Sequence, residues 1–312
     1  MSFIARRLSS LVPILFGVSV VAFLLLRLDP VDPAVAYLRS AQVPPDEKAV
    51  AVVRHELGLD RPLAVQYCDW LKRAARLDFG TSYQTRRPVL DELLRYLPAT
   101  LQLTGAGLIL TILISVPLGV FSALYKESLV DQFCRLFSYV GASIPSFWLG
   151  FLLIHLFAVK LGWLPALGRG GPMHLILPAF TLSFIFIAVL VRLIRASVLE
   201  NLNQRFVLYA RARGVRERWV IGRHVLKNSL LPAVSALGMC AGNFIGGSVI
   251  AESVFAWPGV GLYALRAIMN RDLPVVQGYI LLMSAIFVIC NLAVDLLHAW
   301  LDPRIRIGDS AR

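Results

Sequence analysis

The sequence predicts an all-α, polytopic membrane protein with six transmembrane helices, and three observations carry that reading. Only 16% of the 312 residues are charged against 57% hydrophobic, where soluble domains carry about 25% charged residues. The charge is unevenly spread, with long stretches holding none and others crowded with arginine. Six apolar runs are each long enough to cross a hydrocarbon core about 30 Å thick. A net charge of +12 suggests nucleic acid at first sight. Arginine clustered beside apolar helices is better explained by topology, so the expected partner is the lipid bilayer and not nucleic acid.

The first run, Leu8–Leu28, follows Arg6 and Arg7 and defines an N-terminal helix over 1–28. Ala34-Val35-Ala36 mimics a cleavage site, but the apolar stretch exceeds the ~7–15 residues of a signal peptide, so a retained anchor is expected. Residues 29–97 form a segment with as many Asp and Glu as Lys and Arg. Within it Leu57-Gly58-Leu59-Asp60-Arg61-Pro62 reads as a helix stop and turn between two short amphipathic helices lying against the membrane face. A five-helix core over 98–298 follows, with spans at Thr100–Leu124, Leu136–Val159, Leu175–Val191, Leu230–Val254 and Val275–Leu297. Pro145, Pro178 and Pro232 fall inside or beside these spans, where neighbouring helices can satisfy the freed carbonyls. A tail over 299–312 closes the chain.

Arginine sets the orientation. Arg6 and Arg7 place the N-terminus inside, and Arg304, Arg306 and Arg312 place the tail on the same side. The loop 192–229 holds Arg192, Arg195, Arg205, Arg211, Arg213, Arg216, Arg218, Arg223 and Lys227 against Glu200 and Glu217, so it is cytoplasmic too. The expected location is the inner (plasma) membrane, with 29–97 outside. Cys68, Cys134, Cys240 and Cys290 are scattered, so neither a disulfide framework nor a Cys-based metal site follows.

Function concentrates in the cytoplasmic loop. From Tyr209 to Pro232 it alternates small, basic and apolar residues at near-helical spacing, broken at Gly214, which suits a left-handed position after a helix end. Ala210 and Ala212 leave room for close approach of another protein, and a basic rim surrounds them. Most basic loops are only solvated, but the small residues followed by Leu231-Pro232 argue for a docking knob. Here Ala210 to Gly214 with Leu231-Pro232 resembles the coupling loop of binding-protein-dependent ABC importer permeases. It departs from the general form in having Tyr209 or Ala210 where glutamate stands, and in its longer reach to Pro232. Both departures resemble the dipeptide/oligopeptide/nickel branch.

Leu57-Gly58-Leu59-Asp60, Asp78-Phe79-Gly80-Thr81-Ser82, Pro98-Ala99-Thr100-Leu101, Ser143-Ile144-Pro145 with Phe147-Trp148, Glu252 to Gly261, Arg271 to Gln277 and Leu301-Asp302-Pro303-Arg304 extend the resemblance along nearly the whole chain. Tyr37-Leu38-Arg39, Arg87-Pro88-Val89-Leu90-Asp91 and Phe255-Ala256-Trp257 look most like the first permease subunit of a nickel importer. The resemblance implies a translocation subunit for nickel, bare or chelated, with a di- or oligopeptide permease as the alternative. It implies pairing with a homologous second permease as a heterodimer, two ATP-binding subunits and a periplasmic substrate-binding protein. This chain lacks a GxxxxGK[ST] phosphate loop, and none of its lysines follows a glycine. ATP and Mg are therefore expected on the partners, with no cofactor held here. Tyr209, Ala210, Ala212, Gly214, Val215, Glu217, Leu231 and Pro232 are the coupling candidates.

Glu252 is a carboxylate near the outer end of the fifth span, and an ionisable residue at membrane depth is a functional candidate. Alternatively it caps the helix or pairs with Arg266 or Arg271. Trp257-Pro258-Gly259-Val260-Gly261 reads as a sharp re-entrant turn with the tryptophan at the interface. Together with Ser143 and Pro145 it forms a candidate external gate and path; a loop anchor is the duller alternative. Gly259 to Ala264 fits a GxGxxA dinucleotide pattern, but no βαβ unit surrounds it. His155 is a candidate transient nickel ligand, though packing against a helix explains it as well. Asp295 is read as orienting a helix end. An intramembrane Ser143/His155 hydrolase lacks a helper acid, and a stand-alone channel leaves the docking loop unexplained.

Overall fold

In the computed structural model, residues 3–28 and 30–301 are described. Every regular element among them is helical, apart from an isolated Thr81–Pro88 bridge. The tail motif at Asp302-Pro303-Arg304, the tail arginines and the Asp295 side chain lie outside the described set. The chain forms two compact units. One is the chain up to Leu101 with Pro258–Ile289; the other is Gln102–Trp257 with the chain from Cys290 onward.

In the first unit, α1 (Phe3–Arg27) leads to three short helices, α2 (Pro33–Ser40), α3 (Glu47–Glu56) and α4 (Leu63–Ala74). The sequence anticipates α3 and α4 on either side of the turn at Gly58, whose φ is +66°; α2 is an addition. Its start is fixed by Asp32, whose carboxylate accepts the Ala34 N–H at 2.8 Å, with Pro33 preset for the first turn. Ala34, Leu38 and Val53 pack α2 on α3. The long helix α5 (Val89–Leu124) begins in this unit, and α13 (Val260–Met269) and the start of α14 (Leu273–Leu301) complete it. Val89, Leu93, Val260, Ala267, Val275 and Val276 form its core.

The second unit is built around α8 (Met173–Leu202), which packs against α6 (Leu129–Ser143), α7 (Ser146–Leu153) and α12 (Leu231–Val254). Without a hydrophobic drive between apolar helices, small residues let the backbones close in. A methyl placed on Gly141 would come within 2.7 Å of the Ala188 Cβ, and one on Gly150 within 2.9 Å of Val254.

Among the described residues three helices are long and apolar enough to cross a membrane: Val89–Leu124, Met173–Leu202 and the stretch Leu273–Val294. Two bent pairs, Leu129–Ser143 with Ser146–Lys160 and Glu217–Gly238 with Gly242–Val254, raise the number to five. The first expected span corresponds to α1, of which Val12–Arg27 counts as a shorter apolar helix. The third expected span is not one helix: the chain turns by 110° between α6 and α7. Pro145 has no N–H to continue the ladder and pushes Ile144 to extended backbone, φ −82° and ψ 124°. Pro178, by contrast, stays inside α8. The arginine-rich loop is also shorter than the sequence suggests, because Arg192 and Arg195 belong to α8.

Candidate functional site

The hairpin after α8 carries the coupling candidates. It runs through α9 (Arg205–Ala212), α10 (Glu217–Trp219), a wide π turn over Val220–Val225 and α11 (Leu226–Ser229). Val207, Ala210, Val220 and Val225 pack against Leu190, Ile194 and Val198 of α8, so the hairpin is seated on the helix core. The sequence put both Ala210 and Ala212 on a docking face; the structure divides them. Ala210 lies on the same helical face as Val207 and is 8% exposed, whereas Ala212 is exposed. Tyr209 is 70% exposed and, with Ala212, Gly214 and Glu217, makes the outward face. Val215 is half-buried against the core, and Leu231 and Pro232 are exposed where α12 begins.

Gly214 does what its position predicts. With φ +73° it closes α9: its N–H donates to Arg211 O at 2.9 Å, and the Val215 N–H donates to Ala210 O at 3.2 Å. Arg211 then forks onto Glu217, Nε to Oε2 at 3.2 Å and Nη2 to Oε1 at 2.5 Å. The guanidinium holds the Glu217 carboxyl below its ordinary range. Glu217 is thereby engaged within the hairpin itself.

The gate candidates divide between the two units. In the second unit Glu252 is fully buried in α12 and Trp257 is 1% exposed. The tryptophan is a core side chain and not an interfacial anchor as the sequence suggested. Its N–H donates to Glu252 O at 2.9 Å, closing α12 in the same cap pattern as at Gly214. The left-handed residue is Ala256, φ +48°, where glycine is usual. The turn is therefore made at Ala256 and not at the glycines; Gly259 is extended, with φ −97° and ψ 172°. The Arg169 guanidinium lies 5.7 Å from the Trp257 ring centroid and donates to Gln102 Oε1 at 2.8 Å through Nη2, and the Gly168 N–H donates to Phe255 O at 2.8 Å.

Ser143 and Pro145 lie at the α6–α7 break, lining a cavity of about 280 Å³ with Thr181 and Phe184. The Ser143 hydroxyl donates to Tyr139 O at 2.9 Å. In the first unit Pro258 is exposed, while Gly259 and Gly261 are buried. There the Val260 N–H, free at the start of α13, donates to the Thr100 hydroxyl of α5 at 2.9 Å, joining two of the motifs read from sequence. His155 is exposed on the π turn Ile154–Lys160. Among the described residues no three His, Cys, Asp or Glu side chains gather as a metal site.

Two buried aspartates were given no role in the sequence reading. Asp131, fully buried at the start of α6, accepts Arg195 Nε at 2.6 Å and Nη2 at 2.8 Å, the Ser122 hydroxyl at 2.6 Å and the Glu127 N–H at 3.0 Å. It ties α5, α6 and α8 together at the end next to the hairpin. Arg195 looked like one more topology-setting loop charge; only its pairing shows otherwise. Asp272, 2% exposed, accepts the Ser82 hydroxyl at 2.5 Å and the Tyr83 N–H at 3.0 Å. It pins the turn after Asp78 to the start of α14. Asp131 lies between two expected spans and Asp272 in a run that the sequence marks, but they are 64 and 190 residues from the partners that explain them.

Comparison with known proteins agrees with this architecture. Residues 115–307 match the family described as binding-protein-dependent transport system inner membrane component, and residues 1–104 match its N-terminal companion. The dipeptide transport system permease protein DppB of Alkalihalophilus pseudofirmus is 37% identical, over 98% of this chain and 99% of the relative. The glutathione transport system permease protein GsiC of Escherichia coli (strain K12) is 39% identical over the same shares. Two inward-facing crystal forms of the MetNI methionine ABC transporter share the fold at 18% identity, with TM-scores of 0.53 and 0.56. They cover 67% and 68% of this chain and 96% of the compared one. The chain belongs to the binding-protein-dependent transport system inner membrane component family, and it is the membrane permease, the translocation subunit, of an ABC importer.

Proposed function

We propose that this permease imports short peptides, with the ATPase subunits docking on the exposed face of the 205–230 hairpin. The observation that carries the substrate reading is full-length similarity, 37% and 39%, to permeases named for dipeptide and glutathione transport. It favours the peptide alternative over nickel. The three stretches behind the nickel expectation also have structural uses. Tyr37 lies under the Arg86 guanidinium at 4.2 Å, Arg87 reaches Glu92 at 3.4 Å, and Phe255 and Trp257 are core side chains.

In this reading the family's separate ATPase and binding-protein subunits supply energy and substrate. A homologous second permease completes the path that Ser143 and Pro145, at the α6–α7 break, help to line. The hairpin and both termini face the cytoplasm of an inner membrane, a placement that the arginine distribution supports. Uptake of labelled dipeptide, glutathione and nickel in a strain lacking this gene tests the substrate. Lost dipeptide or glutathione uptake with unchanged nickel is expected; the reverse pattern sinks the reading.

A further inference from the structure

We infer that the first unit holds a built site for a short zwitterionic peptide outside the translocation path: a polar cavity in which Arg27, Arg73 and Tyr83 take the carboxylate and Glu56 lines the side for the ammonium. This rests on the peptide reading above and adds a place where the substrate waits.

The cavity, about 650 Å³, is large enough for a two- or three-residue peptide. Its walls come from the end of α1, from α3 and α4, and from the turn that Asp272 pins. Arg27 stands over the Phe23 ring at 5.2 Å, which fixes the guanidinium against an apolar wall. Arg27, Arg73 and Tyr83 all line the cavity, so two cations and one hydroxyl donor share it. Burial pushes that phenol up to about 12, keeping it a proton donor at every physiological pH.

Two arginines nearby are already paired, Arg54 with Asp32 at 2.8 Å and Arg61 with Asp69 at 3.2 Å. Among the described residues Arg27 and Arg73 have no such carboxylate. Trp70 also lines the cavity; it is 6% exposed, and its indole N–H has no acceptor among the described atoms. A buried donor without a partner is unfavourable, and a carboxylate is an acceptor that two guanidiniums, a phenol and an indole can share. Lining of both signs suits a molecule with both termini charged better than a simple anion.

The test uses the assembled importer in nanodiscs of phosphatidylcholine and, separately, of phosphatidylglycerol, without its binding protein. The probes are dialanine and glutathione, dialanine amide lacking the carboxylate, and N-acetyl-dialanine lacking the ammonium. Dialanine or glutathione should bind in both lipids, and each blocked dialanine at least tenfold more weakly. Arg73→Gln and Tyr83→Phe should cost about tenfold each; Arg27→Lys should restore most of what Arg27→Gln removes. Normal assembly in size-exclusion chromatography guards against a folding loss. Unchanged binding in Arg73→Gln and Arg27→Gln, or equal binding of the amide, overturns the site. So does displacement of the peptide by phosphatidylglycerol, which would make the cavity a headgroup site. Normal peptide uptake in cells with no binding to the assembled importer fails this inference alone, whereas absent peptide uptake fails the transport reading with it.

Discussion

Two helix ends in the second unit solve one problem with different residues. At Gly214 the chain leaves α9 through a glycine at φ +73°, in open space, with nothing within 4 Å of where a Cβ would be. At Ala256 it leaves α12 through an alanine at φ +48°, and the next residue, Trp257, is buried. The hydrogen-bond pattern is the same, but the surroundings are opposite. The exposed cap at Gly214 has no packing that requires bareness, and its positive φ alone accounts for the glycine. The cap at Ala256 is held by its two neighbours: Phe255 and Trp257 fix the turn from within, and alanine is tolerated despite a conformational cost of about 1–2 kcal/mol.

The sharpest way to break this contrast is Gly214→Glu. Uptake should be abolished while membrane insertion and expression persist, because the open space accepts the side chain and a docking partner does not. Near-normal transport would remove the docking role. Gly214→Asn, which tolerates left-handed backbone, separates bulk from conformation: intermediate uptake is expected.

The next largest effect belongs to the base on which the hairpin stands. Asp131→Asn should lower stability by about 3 kcal/mol, since removing one partner strands the Arg195 charge. A drop in the Tm of the detergent-solubilised importer measures it, and the double variant Asp131→Asn with Arg195→Met should recover part of the loss. Ala256→Gly should act in the opposite direction and more weakly, stabilising by up to about 1 kcal/mol by relieving the left-handed residue, with uptake unchanged. No gain would mean that packing of Phe255 and Trp257 already dictates the turn.

The smallest effect expected is that of pH on the hairpin. The folded Glu217 carboxyl sits below its ordinary value of 4.5 because of Arg211. The Arg211–Glu217 fork therefore contributes fully above pH 4.5 and is lost as pH falls below it. Protease nicking of the hairpin should be flat from pH 8 to about 5 and rise only in stronger acid, slightly because the pair is exposed. Glu217→Gln should abolish that rise.

Legibility followed sequence distance. Gly214 and its cap, the stop at Gly58 and the course of α8 through Pro178 could be read directly, because each is decided within a few residues. The inward turn of Ala210, the 110° break at Pro145 and the burial of Trp257 could not. Each depends on which neighbour fills the space beside it. Asp131 and Asp272 were invisible for the same reason, as one carboxylate in a polar stretch resembles any other until its partners arrive.

By itself, then, the sequence determined that this chain lives in a bilayer and where its helices and arginine-rich hairpin fall. Apolar runs of about twenty residues have no other stable place, and periodicity is local. Only the tertiary structure decided which small residues stay exposed, which arginine is a structural pin, and where two guanidiniums line one cavity. Those are properties of distance in space, and the burial of a charge acquires its meaning from what stands opposite.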